Sequence, residues 1–487
     1  MLFKKKQRLD PITLSFDEYL ASIVNPEERL PVNIEILKGL MQSIFSESYD
    51  FAERLFKLPN GQKAYLCYLS GLINKTDLED NVLKTLLKRE KDIYVSDDFG
   101  SILTITNYKN STIWKEVIDQ ILSGNVLLLV EGVQPVILLL ANKNLRNVAD
   151  PTTEYQVYGA KIGFIEDSRT NVSIMRQFIK DPRLRSKEYE LGKESKTHAS
   201  LVYLEQYAED EAVETIDSYL KTFDKDHMLS LGQLTKYVSR HPYSIFPQAS
   251  KTERPDHAAY ALTQGKVVLF VDNSTFCLQA PITFMDMLET SEDHSFLVTW
   301  NLTFIRLIRL VSLLVGSALP ALYVALVAFQ PELIPTTLTI NVAQSRAQIP
   351  LPATAEAFLM LFALDVLVEA SIRLPSFVGQ TIGIVGGLVI GTAAVEAGIV
   401  SNVMVIVIAF TAVAIFTLPN WEFVSSWRIV RYAFVTSAAV LGLYGLVMAI
   451  AFLALHIAKL DSLNRSYLYP LSPFDGKQLR NFFKPAR

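Results

Sequence analysis

The sequence has 487 residues, half of them hydrophobic, with a mean hydropathy of +0.24 and a formal charge of −4 at neutral pH. This length predicts at least two domains, and the acidic balance argues against a nucleic-acid-binding protein, which needs a basic face. The average hides a split at Leu302, because 34 basic and 42 acidic residues precede it but only 12 basic and 8 acidic residues lie from there onward. A charged, acidic half beside a charge-poor half predicts a water-soluble region fused to a membrane domain.

The first segment, residues 1–32, mixes charged residues with helix breakers and is interpreted as an N-terminal tail. No continuous apolar stretch follows its basic start, so we expect no signal peptide and a cytoplasmic location for the region before the membrane domain. From Asn33 the apolar residues recur at helical spacing. Asn60-Gly61 then predicts the tight turn of a β-hairpin.

An internal repeat is the most informative pattern in this region. Gly124–Glu131 reads GNVLLLVE and Gly265–Asp272 reads GKVVLFVD, and a second apolar run follows each copy. The length of the runs and their turn signals predict buried strands paired as hairpins. We therefore expect two related α/β subdomains, at residues 33–150 and 151–301. The alternative is that a common strand pattern arose twice by chance.

The second half, residues 302–458, is expected to be a membrane domain, followed by a basic tail at 459–487. A helix that crosses a bilayer needs about 20 apolar residues. The stretches that meet or approach this length are 307–329, 377–395, 403–418 and 432–457. The predicted fold class is an α+β cytoplasmic region of two related subdomains, followed by an all-α polytopic membrane domain.

The distribution of charge predicts the orientation of these spans. The tail after residue 458 has six basic and two acidic residues, so the C-terminus is expected in the cytoplasm. Because both termini are then cytoplasmic, the number of spans must be even, which favours four over five. Arg428 and Arg431 fall on the outer side in this topology, against the same charge rule.

A further segment, residues 353–370, is apolar but contains three acids: Glu356, Asp365 and Glu369. Each acid facing lipid near the bilayer centre would cost roughly 2.5 kcal/mol or more. We therefore interpret the segment as an amphipathic helix at the interface or as a helix that faces protein. Acids at such depth are functional candidates, whereas an interfacial helix with its acids in water is the alternative. Glu369 and Arg373 are also spaced to pair on one helix face.

The span 377–395 is rich in glycine. Its small residues recur every fourth position, at Gly379, Gly383, Gly387 and Gly391, and such a stripe lets another backbone approach closely. If copies of this helix pack around an axis, another face would line a narrow path with a hydrophobic constriction, which gates by dewetting. The candidate pore and gate residues are Thr381, Val385, Leu388, Val389, Thr392 and Glu396. Plain helix packing is the alternative.

The sequence contains none of the common catalytic or ligand-binding motifs H-E-x-x-H, G-x-x-x-x-G-K-[ST], C-x-x-C and G-x-S-x-G. The six histidines are scattered singly, and Cys67 and Cys277 are too far apart in sequence for a metal-ligand spacing. We therefore expect no enzyme activity, no cofactor and no bound metal.

Several stretches, in order from about Asn33 to Tyr444, resemble the A subunit of the bacterial spore germinant receptors, the GerA family. The matching stretches are Tyr158–Asp167 with Thr170–Arg176, Tyr243–Gln248, Thr252–Asp256, Ile349–Pro352, Glu356–Ala357, Arg373–Pro375, Gly379–Thr381, Val385–Gly391 and Ala394–Glu396. The motif positions of the soluble half are Glu166, Asp167, Asn171 and Arg176. Their role could be only to hold the fold.

The resemblance implies a subunit of a nutrient sensor in the inner membrane of dormant spores. It also implies a permease-like B subunit that binds the germinant, a lipoprotein C subunit, and a homo-oligomeric ring of A subunits that releases ions through the membrane. This favours the pore interpretation of the glycine-rich span. The chain departs from the family pattern in the acidic helix, where Leu361 replaces an acid and Val368 replaces an arginine. That departure could alter conduction.

Overall fold

The computed structural model describes residues 15–88, 93, 102–105, 107–142, 151, 154, 161–290, 292–293, 299–373 and 391–483. The chain divides into two compact units. The N-terminal unit comprises residues 1–242 and 249–281, and the helical unit comprises residues 243–248 and 282–487. The short segment 243–248 therefore leaves the N-terminal unit and returns to it.

Two five-stranded antiparallel sheets form the framework of the N-terminal unit. The first has the strand order β1-β2-β4-β5-β3 and the second has the order β6-β7-β9-β10-β8. The strands of the first sheet are β1 (Phe51–Lys57), β2 (Lys63–Leu69), β3 (Tyr108–Asn110), β4 (Val126–Val130) and β5 (Val136–Leu138). Those of the second are β6 (Leu184–Leu191), β7 (Thr197–Leu204), β8 (Ser250–Thr252), β9 (Val267–Val271) and β10 (Cys277–Ala280). The two sheets share one topology, as an internal repeat predicts.

The two copies of the repeated motif form the equivalent hairpins β4-β5 and β9-β10. Both central strands are buried on both faces. In β4, Leu127 and Leu129 enter one apolar cluster and Leu128 enters another, because successive side chains of a strand point to opposite sides of the sheet. The predicted turn at Asn60-Gly61 is also confirmed, since it connects β1 to β2.

Glycine is required where each repeat begins. Gly124 and Gly265 have φ angles of +87° and +78°, a region that residues with a Cβ rarely adopt. A Cβ at Gly124 would stand 2.7 Å from the carbonyl oxygen of Leu72, and one at Gly265 would stand 2.3 Å from that of Tyr207. The close approach of the backbone therefore explains why each copy of the repeated motif begins with glycine.

Helices accompany the sheets, and the longer ones bury one face. They are Phe16–Ile23, Ile34–Ile44, Lys75–Asp77, Lys84–Leu87, Trp114–Leu122, Ser168–Phe178, Asp210–Lys221, Leu231–Val238 and Pro255–Thr263, with a π-helical turn at Leu78–Leu83. The helix predicted from Asn33 is confirmed: the Asn33 side chain caps it by accepting hydrogen bonds from the N–H groups of Glu35 and Ile36.

The helical unit contains the following helices, besides the described helical residues 391–396. They are Thr299–Ala328 (the first long helix), Thr336–Arg346, Ala353–Arg373 (the acidic helix), Asn402–Phe416 (the short apolar helix), Trp421–Lys459 (the second long helix) and Gly476–Phe483 (the tail helix). The strands Asp461–Ser462 and Arg465–Ser466 form a small hairpin, and Asp286–Leu288 and Pro331–Leu333 are 3-10 turns.

Two of the described helices, the first and second long helices, are long and apolar enough to cross a membrane. They contain almost all of the predicted spans 307–329 and 432–457. The predicted span 403–418 corresponds to the short apolar helix of 15 residues, and most of 377–395 lies outside the described residues. A polytopic membrane domain with four spans therefore stays a prediction.

The second long helix is interrupted at Gly442, where φ is +61°. A Cβ at this position would lie 2.8 Å from the Cβ of Phe329, so the close approach requires glycine. The interruption frees a backbone N–H at Leu443, which donates to the side-chain oxygen of Gln330 at 3.1 Å. A buried donor without such a partner would be costly.

A buried ion pair holds the two sheets of the N-terminal unit together. Arg176 is fully buried and binds both carboxylate oxygens of Asp50 from its Nε and Nη2 atoms, at 2.8 and 2.9 Å. The Ser186 hydroxyl donates to the same carboxylate at 2.7 Å. Burial alone would raise the pKa of Asp50, but the Arg176 guanidinium and the hydrogen bonds to the carboxylate together outweigh burial and lower that pKa below its ordinary value.

We predict that Asp50→Ala destabilises the N-terminal unit by about 3–5 kcal/mol, because it leaves the Arg176 charge buried without a partner. Thermal unfolding of the full chain in detergent measures the loss. The matched control is Asp224→Ala, which breaks an exposed pair with Lys193 and should leave the unfolding temperature unchanged.

Acidification provides a second measurement of the same pair. Because the pKa of Asp50 is lowered in the folded state, its contribution is complete above the unfolded value of about 3.9 and is lost as the pH falls below it. The difference in stability between the wild-type chain and Asp50→Ala should therefore decrease below about pH 4. An advantage independent of pH would contradict the assigned role.

Candidate functional site

The signature residues of the N-terminal unit lie where the helix Ser168–Phe178 begins. Asp167 caps this helix by accepting a hydrogen bond from the Thr170 N–H at 2.8 Å. Asn171 is buried, and its amide makes two hydrogen bonds with the backbone of Ile165, donating at 2.6 Å and accepting at 2.9 Å. These residues therefore fix the entry of the chain into the helix.

The remaining signature residues differ in their surroundings. Arg176 makes the buried pair with Asp50, whereas the Glu166 side chain is exposed and its backbone oxygen accepts the Asn273 N–H at 2.8 Å. Asp167, Asn171 and Arg176 thus stabilise the fold. None of the described residues forms a cluster of three or more metal-ligating side chains.

In the helical unit, the acidic residue Glu356 is completely buried in the first turn of the acidic helix. One of its oxygens accepts hydrogen bonds from both the backbone N–H and the hydroxyl of Ser401. The other lies 3.3 Å from Nη1 of Arg346. The Ser401 hydroxyl also lies 3.2 Å from that of Tyr323. Ser401 therefore hydrogen-bonds one carboxylate oxygen, while Arg346 compensates the charge of the other by proximity and without a hydrogen bond.

Ser401 also caps the short apolar helix, because its hydroxyl oxygen accepts the Met404 N–H at 3.2 Å. The Glu356 carboxylate therefore lies at a helix N-terminus, where the helix dipole favours a negative charge. Through Tyr323, Arg346, Glu356 and Ser401, this polar network contacts four helices.

The other two acids of the acidic helix are paired as well. Asp365 accepts hydrogen bonds from Nη2 of Arg431 at 2.8 Å and from the hydroxyl of Tyr432 at 2.6 Å, and the Arg431 side chain is fully buried. Glu369 pairs with Arg373 at 2.6 Å, but both side chains are largely exposed. The predicted pairing of Glu369 with Arg373 is confirmed. All three acids have an arginine partner, so the acidic helix is locally neutralised.

Most of the candidate pore and packing residues lie outside the described residues. These are Thr381, Val385, Leu388 and Val389, together with Gly379, Gly383 and Gly387. Three are described: Thr392 and Glu396 are exposed, and Gly391 is buried, with its Cβ position 3.6 Å from Val405 of the short apolar helix. A side-chain Cβ at position 391 would therefore make an ordinary van der Waals contact with the short apolar helix.

The segment Tyr243–Gln248, one of the motif stretches, is anchored in the helical unit. The Phe246 ring is 2% exposed and lies 5.8 Å from the ring of Trp427 and 6.4 Å from those of Phe423 and Tyr467. Its backbone is fixed too, because the hydroxyls of Ser426 and Ser462 donate to the carbonyl oxygens of residues 245 and 248. The chain on either side of the segment belongs to the N-terminal unit.

The sequence pattern did not identify the partners of these groups. Arg346, Ser401 and Tyr323 were not singled out, although a serine immediately before the apolar run at 402 is a recognisable helix cap. The role of Asp50 and the aromatic contacts of Phe246, which lies in the quoted stretch Tyr243–Gln248, were not predicted either, since nothing in the local pattern indicates which distant side chains they contact.

Comparison with known proteins relates these features to a family. The family model described as Bacillus/Clostridium GerA spore germination protein matches residues 39–486. Spore germination protein GerLA of Bacillus cereus is 36% identical over 411 residues, which cover 83% of this chain and 83% of that protein. Uncharacterized membrane protein YfkQ of Bacillus subtilis (strain 168) is 34% identical over 442 residues, which cover 90% of this chain and 86% of that protein.

A solved structure is similar to part of the chain. It is the crystal structure of the N-terminal domain of the A subunit of the Bacillus megaterium spore germinant receptor GerK3. The sequence identity is 25%, the match covers 53% of this chain and 98% of that chain, and the TM-score is 0.41.

The family match includes almost all of both units, from the helix that follows Asn33 to the end of the tail helix. The sequence relatives match most of their own length as well. The chain therefore belongs to the GerA family of spore germination proteins. The family resemblance of the motif stretches is confirmed.

We predict that Phe246→Ala destabilises the helical unit by about 3–5 kcal/mol, because it leaves a cavity among packed aromatic rings. Tyr243→Ala, in the same segment, is the matched control, since Tyr243 is 99% exposed. Thermal unfolding of the full chain in detergent should separate the two variants. Equal unfolding temperatures for both would show that the segment is not an anchor.

Proposed function

We propose that this chain is the membrane subunit of a spore germinant receptor and forms an oligomeric ion channel that opens when a partner subunit binds a germinant. Membership of the GerA family and the names of its relatives support the role in germination. In this proposal, copies of the chain form a ring in the spore inner membrane, with both termini in the cytoplasm. A permease-like B subunit and a lipoprotein C subunit complete the receptor.

The observation that carries the proposal is the contact between Glu356 and Ser401. Glu356 lies on the helix that precedes the glycine-rich span, and Ser401 caps the helix that follows it. One buried carboxylate therefore connects the chain before residues 377–395 to the chain after them. A gating helix needs ends that stay in place while its central part changes conformation. The contact between Glu356 and Ser401 would hold the two ends of the glycine-rich span in this way.

The channel would place the uncharged face of the glycine-rich span on its axis. Thr381 and Thr392 would offer hydroxyl groups to the path, while Leu388 and Val389 would form its hydrophobic constriction and exclude water in the closed state. Glu396 would lie near one mouth. The glycine stripe would allow neighbouring copies to pack closely.

A non-conducting scaffold is the second candidate, and the neutralised acids favour it. Glu356, Asp365 and Glu369 each have an arginine partner, so none presents an isolated negative charge that would attract a cation. In this alternative, the helices anchor the subunit and the N-terminal unit organises or relays the signal.

The two candidates differ in their tolerance of a smaller side chain at position 389. We predict that Val389→Ala, in spores whose only germinant receptor contains this subunit, causes premature or faster release of potassium, because a wider and less apolar constriction dewets less readily. The measurement is extracellular potassium with and without nutrients, at equal protein levels. Release identical to that of the wild type would favour the scaffold.

A second prediction concerns the attachment of the span. Glu356→Gln keeps the size of the side chain but removes its charge, which leaves Arg346 without its counter-ion and weakens the contact with Ser401. We expect increased potassium release without nutrients. Glu369→Gln is the matched control on the same helix, because Glu369 is largely exposed and pairs with Arg373 one turn away. Equal release from both variants would contradict the assigned role of Glu356.

A further inference from the structure

After the second long helix, the chain forms the small hairpin and then the tail helix. This helix is attached to the first long helix at two points. The Thr303 hydroxyl donates to the carbonyl oxygen of Phe483 at 2.6 Å. The Arg306 guanidinium donates to the carbonyl oxygen of Phe482 and lies 4.6 Å from the centre of its ring. The tail helix is therefore a docked element of the helical unit.

Arg306 shows which part of the first long helix the tail helix contacts. It directly precedes the apolar stretch that starts at Leu307, and Arg309 is the last charge before that stretch continues uncharged to the end of the helix. Glu289 and Asp293 compensate the Arg306 charge from nearby, at 3.1 and 3.5 Å. A cluster of charges followed by a long apolar run marks the boundary between water and hydrocarbon. A membrane crossed by the first long helix would therefore place the tail helix at the depth of the lipid headgroups.

The outward side of this element combines apolar and basic residues. Phe474 is 75% exposed and Leu471 is 42% exposed, and Lys477 and Arg480 are exposed on the helix that follows. The Phe474 ring lies against the start of that helix, 3.5 Å from the Cβ position of Gly476. These four residues, Leu471, Phe474, Lys477 and Arg480, are called the tail surface below.

Basic residues predominate at the tail surface. Residues 476–487 contain four basic residues and no acidic residue. The preceding acid, Asp475, is occupied as the helix cap, because its carboxylate accepts the N–H groups of Lys477 and Gln478 at 3.0 and 3.1 Å and the hydroxyl of Tyr469 at 3.0 Å. The surface therefore presents positive charge beside an exposed aromatic ring.

We propose that the tail surface binds the anionic phospholipid headgroups of the leaflet next to it. Aromatic rings are favoured at the interface between water and hydrocarbon, and basic residues on a short amphipathic helix are attracted to anionic lipid. Lipid is the occupant that the position of the surface favours, because the tail helix is docked beside the start of an apolar helix long enough to cross a membrane. This inference does not depend on whether the subunit conducts ions.

A fluorescent reporter on the full-length chain tests the proposal. A polarity-sensitive dye is attached at Phe474→Cys, and the protein is placed in nanodiscs of phosphatidylcholine alone or of phosphatidylcholine with phosphatidylglycerol. The natural thiols, Cys67 and Cys277, are fully buried, and burial raises the pKa of both, so they should resist labelling. Nanodiscs expose both leaflets, so the orientation of the protein does not affect the result.

We expect a blue shift of the dye emission in the discs with phosphatidylglycerol, reversed by high salt and lost when Lys477→Gln and Arg480→Gln are combined. The matched control combines Lys193→Gln and Lys221→Gln, two exposed lysines of the N-terminal unit, and should keep the shift. Emission that is the same in both lipids would overturn the proposal, because it would show that the tail surface does not respond to anionic lipid. A shift that persists in the Lys477/Arg480 variant would overturn it too.

Discussion

The buried carboxylate of Glu356 imposes the strongest constraint on the helical unit. A charge that is withdrawn from water needs an opposite charge and hydrogen-bond donors nearby, because the cost of leaving it unpaired is several kcal/mol. Arg346 supplies the opposite charge, and Ser401 supplies two donors. Satisfying one acid therefore fixes the relative positions of several helices, including those that flank the glycine-rich span.

The N-terminal unit also contains a buried carboxylate that is compensated by an arginine, and this pair lies between its two sheets. Each sheet has its own apolar core, and the polar contact of Asp50 with Arg176 and Ser186 adds a directional link that apolar packing lacks. A bidentate carboxylate–guanidinium pair permits one geometry. The family signature around Asp167, Asn171 and Arg176 is thus explained by the architecture, because these residues start a helix and deliver its arginine to the neighbouring sheet.

Much of the fold followed from local patterns. The apolar runs of the repeat, the turn at Asn60-Gly61 and the two long apolar helices were all predicted, because strand and helix periodicity are expressed within a few residues. The pairing of Glu369 with Arg373 was predictable for the same reason, since the two residues are one helical turn apart. The number of membrane spans and the pore face are still predictions, because most of residues 377–395 lies outside the described part of the chain.

The sequence alone determined the repeated strands, the two long apolar helices and the presence of three acids whose charges need compensation. Only the tertiary structure decided which groups compensate them. Glu356 meets Ser401 across 45 residues and Asp50 meets Arg176 across 126. Such pairings depend on how distant elements pack, which no local periodicity records. The sequence of an apolar helix that contains an acid thus shows that the charge needs a compensating group. Which group compensates it depends on how the helices pack.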